Sequence, residues 1–199
     1  MKMLMADYRV GNLHSIKKAL ELAGAEVEVV TVMDRLLDAK CIVFPGVGAF
    51  DCTVSPIGSI TGKLKERLDA GVPCLGVCIG THILFPGSDE GELSGIGFFD
   101  GRVRKLKSRT VPHMGWNTVE GKDPLMEDVP DNHFYFAHSY YCDPVSRDVV
   151  KGSTTYEGFE FATLMRRNNV VATQFHPEKS SESGLKFLKN FVSFAEDKA

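Results

Sequence analysis

The sequence predicts an α/β fold: a central, mostly parallel sheet flanked by helices, with added antiparallel strands. Three observations predict it. Short apolar runs alternate with amphipathic segments of helical period over the first eighty-odd residues, a block of strand-like runs fills the middle, and one more amphipathic helix closes the chain.

Each element has its own signal. "MLMA" (3–6) reads as a buried strand, after which Leu13, Ile16, Leu20 and Ala23 recur at helical spacing and Gly24 ends the helix. "VEVVTV" (27–32) and "CIVF" (41–44) are the next two strands, the second cut off by Pro45 and Gly46. Ile57, Ile60, Leu64 and Leu68 mark one amphipathic helix that Gly71 terminates. "VPCLGV" (72–77) is a fourth strand, and "GTHILF" (80–85) begins another helix. Strands separated by helices pair in parallel with both faces covered. "GIGFFDGRVRKL", "VPHMGWNTVE", "NHFYFAHSYYC", "VVKGSTTY", "FATLMR" and "VVATQF" then read as successive strands that extend or flank the sheet, partly antiparallel. Leu185, Leu188, Phe191 and Ala195 define the last helix.

No repeat, low-complexity tract or long linker interrupts this pattern, so residues 1–199 are expected to form a single domain. With 23 Lys+Arg against 26 Asp+Glu, a net charge of -3 gives no global reason to expect nucleic acid or an anionic membrane as partner. The apolar start is broken by Asp7 and Arg9 and no membrane-length apolar run follows, which makes a cytoplasmic protein the expectation. Its five cysteines, Cys41, Cys52, Cys74, Cys78 and Cys142, lack the density of a disulfide scaffold, and Cys74 and Cys78 lack the second ligand pair of a zinc site. Reduced thiols and no metal are expected.

Cys78 stands in "GVCIG", at the junction of a predicted central strand and a predicted helix. That setting is a nucleophile elbow: Gly76 and Gly80 let the turn bend and a substrate approach, and the helix N-terminus favours a thiolate and an oxyanion. Spacing alone leaves this reading level with that of a small core cysteine. A second partner lies in "QFHPEKS", where an extended backbone would send His176 and Glu178 out on one face, the carboxylate orienting an imidazole that takes and returns the thiol proton. By itself that pair reads as a surface turn. Beside an elbow cysteine it reads as chemistry.

"GVCIG" followed nearly a hundred residues later by "QFHPE" resembles the class I, triad-type glutamine amidotransferases, and the resemblance covers nearly the whole chain. More narrowly, "DYRVGNLHS", "FPGVGAF", "HMGWN", "FYFAHSYY" and "HPEKSS", in that order, resemble the glutaminase subunits of imidazole glycerol phosphate synthases. The resemblance implies the class I amidotransferase fold, glutamine as substrate, no cofactor, and a catalytic triad on Cys78, His176 and Glu178. It further implies an oxyanion hole from Gly46, Val47 and Gly48 with the backbone at Ile79, and a contact of Glu90 with the substrate's α-amino group. One position departs from the family pattern: His82 stands where a substrate-holding glutamine is usual, four residues after the nucleophile.

Ammonia released into water would be protonated and diluted, so the resemblance also implies a partner, a (β/α)8-barrel cyclase subunit. Trp116, Tyr140 and Lys179 match family positions at or near that interface. The basic run "RVRKLKSR" (102–109) is read as a solvated strand face rather than a phosphate site. Two alternatives are weighed against this. The glutaminase component of anthranilate or aminodeoxychorismate synthesis is disfavoured by "HMGWN" and "HPEKSS", and a degenerate, binding-only member by the intact triad set.

Overall fold

The computed structural model describes residues 1–9, 13–46 and 48–198. Four parallel strands come first: β1 (Lys2–Ala6), β2 (Glu26–Val30), β3 (Ile42–Phe44) and β4 (Cys74–Val77). Helix α1 (His14–Leu22) connects β1 to β2. The helical run expected between β3 and β4 is three pieces, α2 (Phe50–Val54), a 3₁₀ segment (Ser55–Ile60) and α3 (Thr61–Asp69). Pro56 at the start of the middle piece accounts for the break, since its ring cannot continue the preceding α-helix. Gly71, at φ +96°, ends α3 as expected.

After β4 comes a single helical turn, α4 (Ile79–His82), where the sequence suggested a longer helix. The chain then runs without regular structure to β5 (Gly101–Lys105), burying Phe98 and Phe99 on the way. Next are β6 (His113–Thr118), the two-residue β7 (Glu120–Gly121), β8 (His133–His138), β9 (Tyr140–Pro144), β10 (Val150–Tyr156), β11 (Phe159–Arg167) and β12 (Val170–Thr173), and the chain closes on α5 (Ser181–Glu196). The run "NHFYFAHSYYC" is thus two strands parted at Ser139.

The main sheet has the order β2-β1-β3-β4-β12-β11-β10-β7, with β9 joined to β11 and β5 to β9. Pairing is parallel from β2 through β12 and antiparallel beyond it. β6 and β8 form a separate two-stranded ribbon.

Period-two alternation divides the core. Met3, Met5, Val43, Leu75, Val77 and Val171 face α1 and α5, while Leu4, Ala6, Ile42, Phe44, Val170 and Ala172 face α2 and α3. On the first side Phe134, Phe175 and Phe187 pack ring on ring, with centroids 4.2 and 5.4 Å apart. The buried face of α5 is centred on Phe187, Leu188 and Phe191, with Leu185 only half-buried. The basic run behaves as a solvated face: Arg102 pairs with Asp89 and Arg104 with Asp143, and Val103 and Leu106 point inward.

Candidate active site

β3, β4 and β12 end side by side, and the residues that follow them line one crevice, the usual location of a site in an open parallel sheet. Cys78, the first residue after β4, has φ 48° and ψ -108°, a conformation that costs a non-glycine residue on the order of 1–3 kcal/mol. The surroundings over-determine it. Its N–H donates to Thr173 O at 2.7 Å, and its carbonyl accepts from the Thr81 and His82 N–H groups at 2.9 and 3.1 Å. The buried Thr81 hydroxyl stands 2.9 Å from Gly76 O and 2.8 Å from Thr173 O, tying the turn to both strands.

The glycines flanking Cys78 serve this packing. A Cβ on Gly80 would lie 2.0 Å from Phe44 O, and one on Gly76 would lie 2.8 Å from Gly80 O. Their absence lets the helical turn sit directly on β3.

His176 follows β12 in an extended conformation, and Pro177 opens a 3₁₀ turn that swings Glu178 back, so that His176 Nδ1 donates to Glu178 Oε1 at 2.8 Å. Both side chains are buried. With Nδ1 committed, the other ring nitrogen is left for the Cys78 side chain, whose influence is felt in the basicity of the imidazole. Burial disfavours a charged imidazole, but Cys78 and Glu178 together outweigh it and raise His176 to about 10. Gly46 lies against the same ring, since a Cβ there would be 2.9 Å from His176 Cε1.

A cavity of about 270 Å³ opens over the sulfur, lined among others by Gly48, Cys78, Ile79, His82, Glu90 and Tyr140. Six of the residues singled out in the sequence therefore share one wall. Val47 lies outside the described residues. Glu90 is half-buried, and desolvation raises its carboxyl pKa against a hydrogen bond from the Phe50 backbone. His82 is buried with Nε2 3.0 Å from Gln174 Oε1, and its Nδ1 is buried without a partner. Met114, in the cavity wall, is 64% exposed, and Trp116, two residues further along β6, is 53% exposed. Tyr140 is half-buried, and exposed Lys179 holds its Nζ 5.9 Å from the Tyr135 ring. A larger cavity of about 610 Å³ touches Met1, Glu28, Arg35 and Glu196, away from the sulfur, and these charges neutralise one another in ion pairs.

Sequence reading passed over Gln174 and His138. Gln174, fully buried, points Nε2 at Cys78 Sγ from 3.8 Å. Its signal was a polar residue inside the apolar run "VVATQF", in phase with His176. His138 lines the cavity and ends the buried alternation Phe134, Phe136, His138. Its Nδ1 lies 2.8 Å from Tyr140 O, which can only accept, so Nδ1 carries the proton and Nε2 accepts from His113 Nδ1 at 3.0 Å. His113 Nε2 then accepts from Asn117 Nδ2 at 3.3 Å, and the ring stacks on Phe136 and Tyr156. The chain is complete only with both rings neutral. Burial accordingly lowers His113 to about 4, and it lowers His138 to about 3 and His82 to about 4 in spite of their hydrogen bonds.

A pH dependence of stability follows. In the unfolded chain these three imidazoles take up protons near pH ~6.5, and in the folded chain only near pH 4 or below, so acidification through that window favours unfolding. Raised His176 acts oppositely: its contribution is full below pH ~6.5 and is lost as pH rises toward 10. Stability is expected to peak near pH ~6.5, and the melting temperature to drop by roughly 10 °C by pH ~4.5. Thermal melts across that range check it. A flat profile would mean the buried imidazoles are accessible to protons in the native state.

The family model for class-I glutamine amidotransferases matches residues 4–194. The chain is 44% identical to imidazole glycerol phosphate synthase subunit HisH 1 of Methanococcus maripaludis over 196 residues, covering 94% of this chain and 96% of that protein. It is 42% identical to subunit HisH of Gloeothece citriformis, covering 94% and 93%. Among solved structures, a glutamine amidotransferase crystal structure superposes with a TM-score of 0.77 at 19% identity, covering 97% of this chain and 98% of that one. The Thermotoga maritima PurLQS structure gives 0.74 at 19%, with the same coverage. Those two likenesses establish the fold, and the closer sequence relatives narrow it: the chain belongs to the class-I glutamine amidotransferases, within the family of imidazole glycerol phosphate synthase HisH subunits.

Proposed function

We propose that this chain, as a single glutaminase domain, hydrolyses glutamine to glutamate and ammonia and passes the ammonia to a (β/α)8-barrel cyclase subunit of imidazole glycerol phosphate synthase. That partner would use it to form imidazole glycerol phosphate and aminoimidazole carboxamide ribotide in histidine biosynthesis. The observation that carries the reading is the strained Cys78 beside a buried His176 whose Nδ1 is hydrogen-bonded to Glu178.

Transfer of the Cys78 thiol proton to His176 would leave an imidazolium beside a thiolate. The thiolate attacks the glutamine side-chain carbonyl, and His176 gives its proton to the departing ammonia. Water then adds to the glutamyl thioester with His176 as base, and glutamate leaves as the sulfur is regenerated. Backbone N–H groups of the Gly46–Gly48 segment and of Ile79 are proposed to hold the oxyanion, an opening helical turn leaving its first N–H without a partner in the helix. Glu90 in the cavity wall would receive the substrate's ammonium group. Partner binding is supported by exposed apolar side chains on one face of β6, Met114 in the cavity wall and Trp116 two residues on, with Tyr140 in the cavity wall and Lys179 against the Tyr135 ring. The proposal puts the heterodimer in the cytoplasm, where five free thiols stay reduced.

The test is glutamate release by the chain alone and with the cyclase and its nucleotide ligand. Release in either arm supports the reading, and its absence in both overturns it. For the interface, Trp116→Ala is expected to weaken cyclase binding by about 30-fold, the loss of a roughly 2 kcal/mol anchor, as read by calorimetric titration. Unchanged affinity would remove Trp116 from the contact.

A further inference from the structure

We infer that Gln174 is a catalytic residue that donates a hydrogen bond to the Cys78 sulfur, and that His82 is the positioning residue that sets the direction of its carboxamide. The inference rests on the glutaminase reading and adds a second source of thiolate stabilisation to it.

Gln174 has no exposed surface, and its backbone is fixed by N–H donation to Thr163 O at 2.9 Å. Its side chain has two polar ends and two neighbours. Oε1 lies 3.0 Å from His82 Nε2, and Nε2 lies 3.8 Å from Cys78 Sγ. An amide oxygen only accepts, so His82 carries its proton on Nε2, and the amino group is thereby turned to the sulfur. The reverse tautomer would flip the amide and set an oxygen lone pair against a thiolate. His82 Nδ1, buried without a partner, is the bare acceptor that this tautomer requires.

Burial keeps the ring neutral, lowering His82 to about 4 against the hydrogen bond to Gln174, so the tautomer persists at neutral pH. A hydrogen bond to sulfur strengthens when the sulfur is charged. It therefore favours the thiolate both before attack and when the sulfur leaves the thioester. Around Cys78 the titratable groups are His176 with Glu178, His82, His138, Glu90 and Cys142. His82 and Gln174 supply a polar path to the sulfur that is uncharged throughout.

The experiment measures iodoacetamide alkylation at Cys78 against pH, quantified on the Cys78 peptide by mass spectrometry, because only the thiolate reacts. Gln174→Met keeps side-chain volume and removes the donor. His82→Leu removes the orienting N–H. Each is expected to slow alkylation about ten-fold near pH 6.5, the loss of one charge-assisted hydrogen bond, and to converge on the native rate near pH ~9.5. His82→Gln can still donate to Gln174 Oε1 and is expected to stay within about two-fold of native. A merely structural role would leave the shape of the profile alone, so superimposable Gln174→Met and native profiles would overturn the inference. Should the variants not fold, imidazole ¹⁵N NMR of the native protein decides: protonation of His82 on Nε2 is expected, and protonation on Nδ1 would overturn the relay. Glutamate release by the native complex tests the glutaminase reading separately, since alkylation reports the sulfur's charge whatever the substrate.

Discussion

Cys78→Ala is expected to reduce glutamine hydrolysis to background, by about 10⁴-fold or more, while the complex continues to cyclise with free ammonia. No other thiol can substitute. Burial pushes the Cys41 thiol up to about 12 and the Cys74 and Cys142 thiols well above their ordinary value, and Cys52, although exposed, is not part of the cavity wall. Alanine retains the backbone contacts that hold the elbow, because they run through the Cys78 N–H and carbonyl rather than through its sulfur. A folded, partner-competent protein without glutaminase activity is the outcome expected from glutamate release and ammonia-supported turnover measured side by side. Glutamate release at the native rate would remove Cys78 from the chemistry.

Gly80→Ala is expected to damage both stability and turnover through a single added methyl group. The added carbon would lie 2.0 Å from Phe44 O and 3.0 Å from Phe44 Cβ, and a carbonyl within β3 has little freedom to retreat. The turn must lift off the sheet instead. Overpacking of this kind costs roughly 3 kcal/mol or more, a melting shift of roughly 6–12 °C for a domain of this size. Whatever folds should lose about 100-fold in turnover, because a nucleophile displaced by about 1 Å no longer meets its base. Gly62→Ala is the control: nothing lies within 4 Å of its Cβ, and it stands in α3, so it should hold or gain up to about 1 kcal/mol. Equal melting temperatures for the two variants would show that the elbow yields without strain.

Cys78 and Gly80 both stand out in the sequence. Strand and helix alternation fixed β1 to β4 and α1 because apolar period and helix-ending glycines coincide there, and the bracketing of Cys78 by Gly76 and Gly80 located the elbow. Less was legible where tertiary contacts decide. The helix after Cys78 stops after one turn because Pro86 and Gly87 follow and the next segment buries Phe98 and Phe99 instead of continuing the helix. The partition of the middle strands between the main sheet and the β6–β8 ribbon has no local signal, as both kinds of strand alternate alike. In the site, Cys78, His176 and Glu178 could be paired by their chemical types. Gln174 and His138 could not, because a buried amide or imidazole acquires a role only through the atom it faces.

The β6–β8 ribbon has one more consequence. Tyr135 O accepts the His176 N–H at 2.9 Å, Tyr135 N–H donates to Ser180 Oγ, and Ser180 Oγ donates to His176 O at 2.6 Å. On the same strand Ala137 and His138 form a wall of the cavity, and across the ribbon Trp116 leans edge-on against Tyr135. The general base and the cavity wall are thus mounted on a single member. One strand bears on the base from one side and bounds the cavity on another, and across the ribbon from it stands an exposed tryptophan.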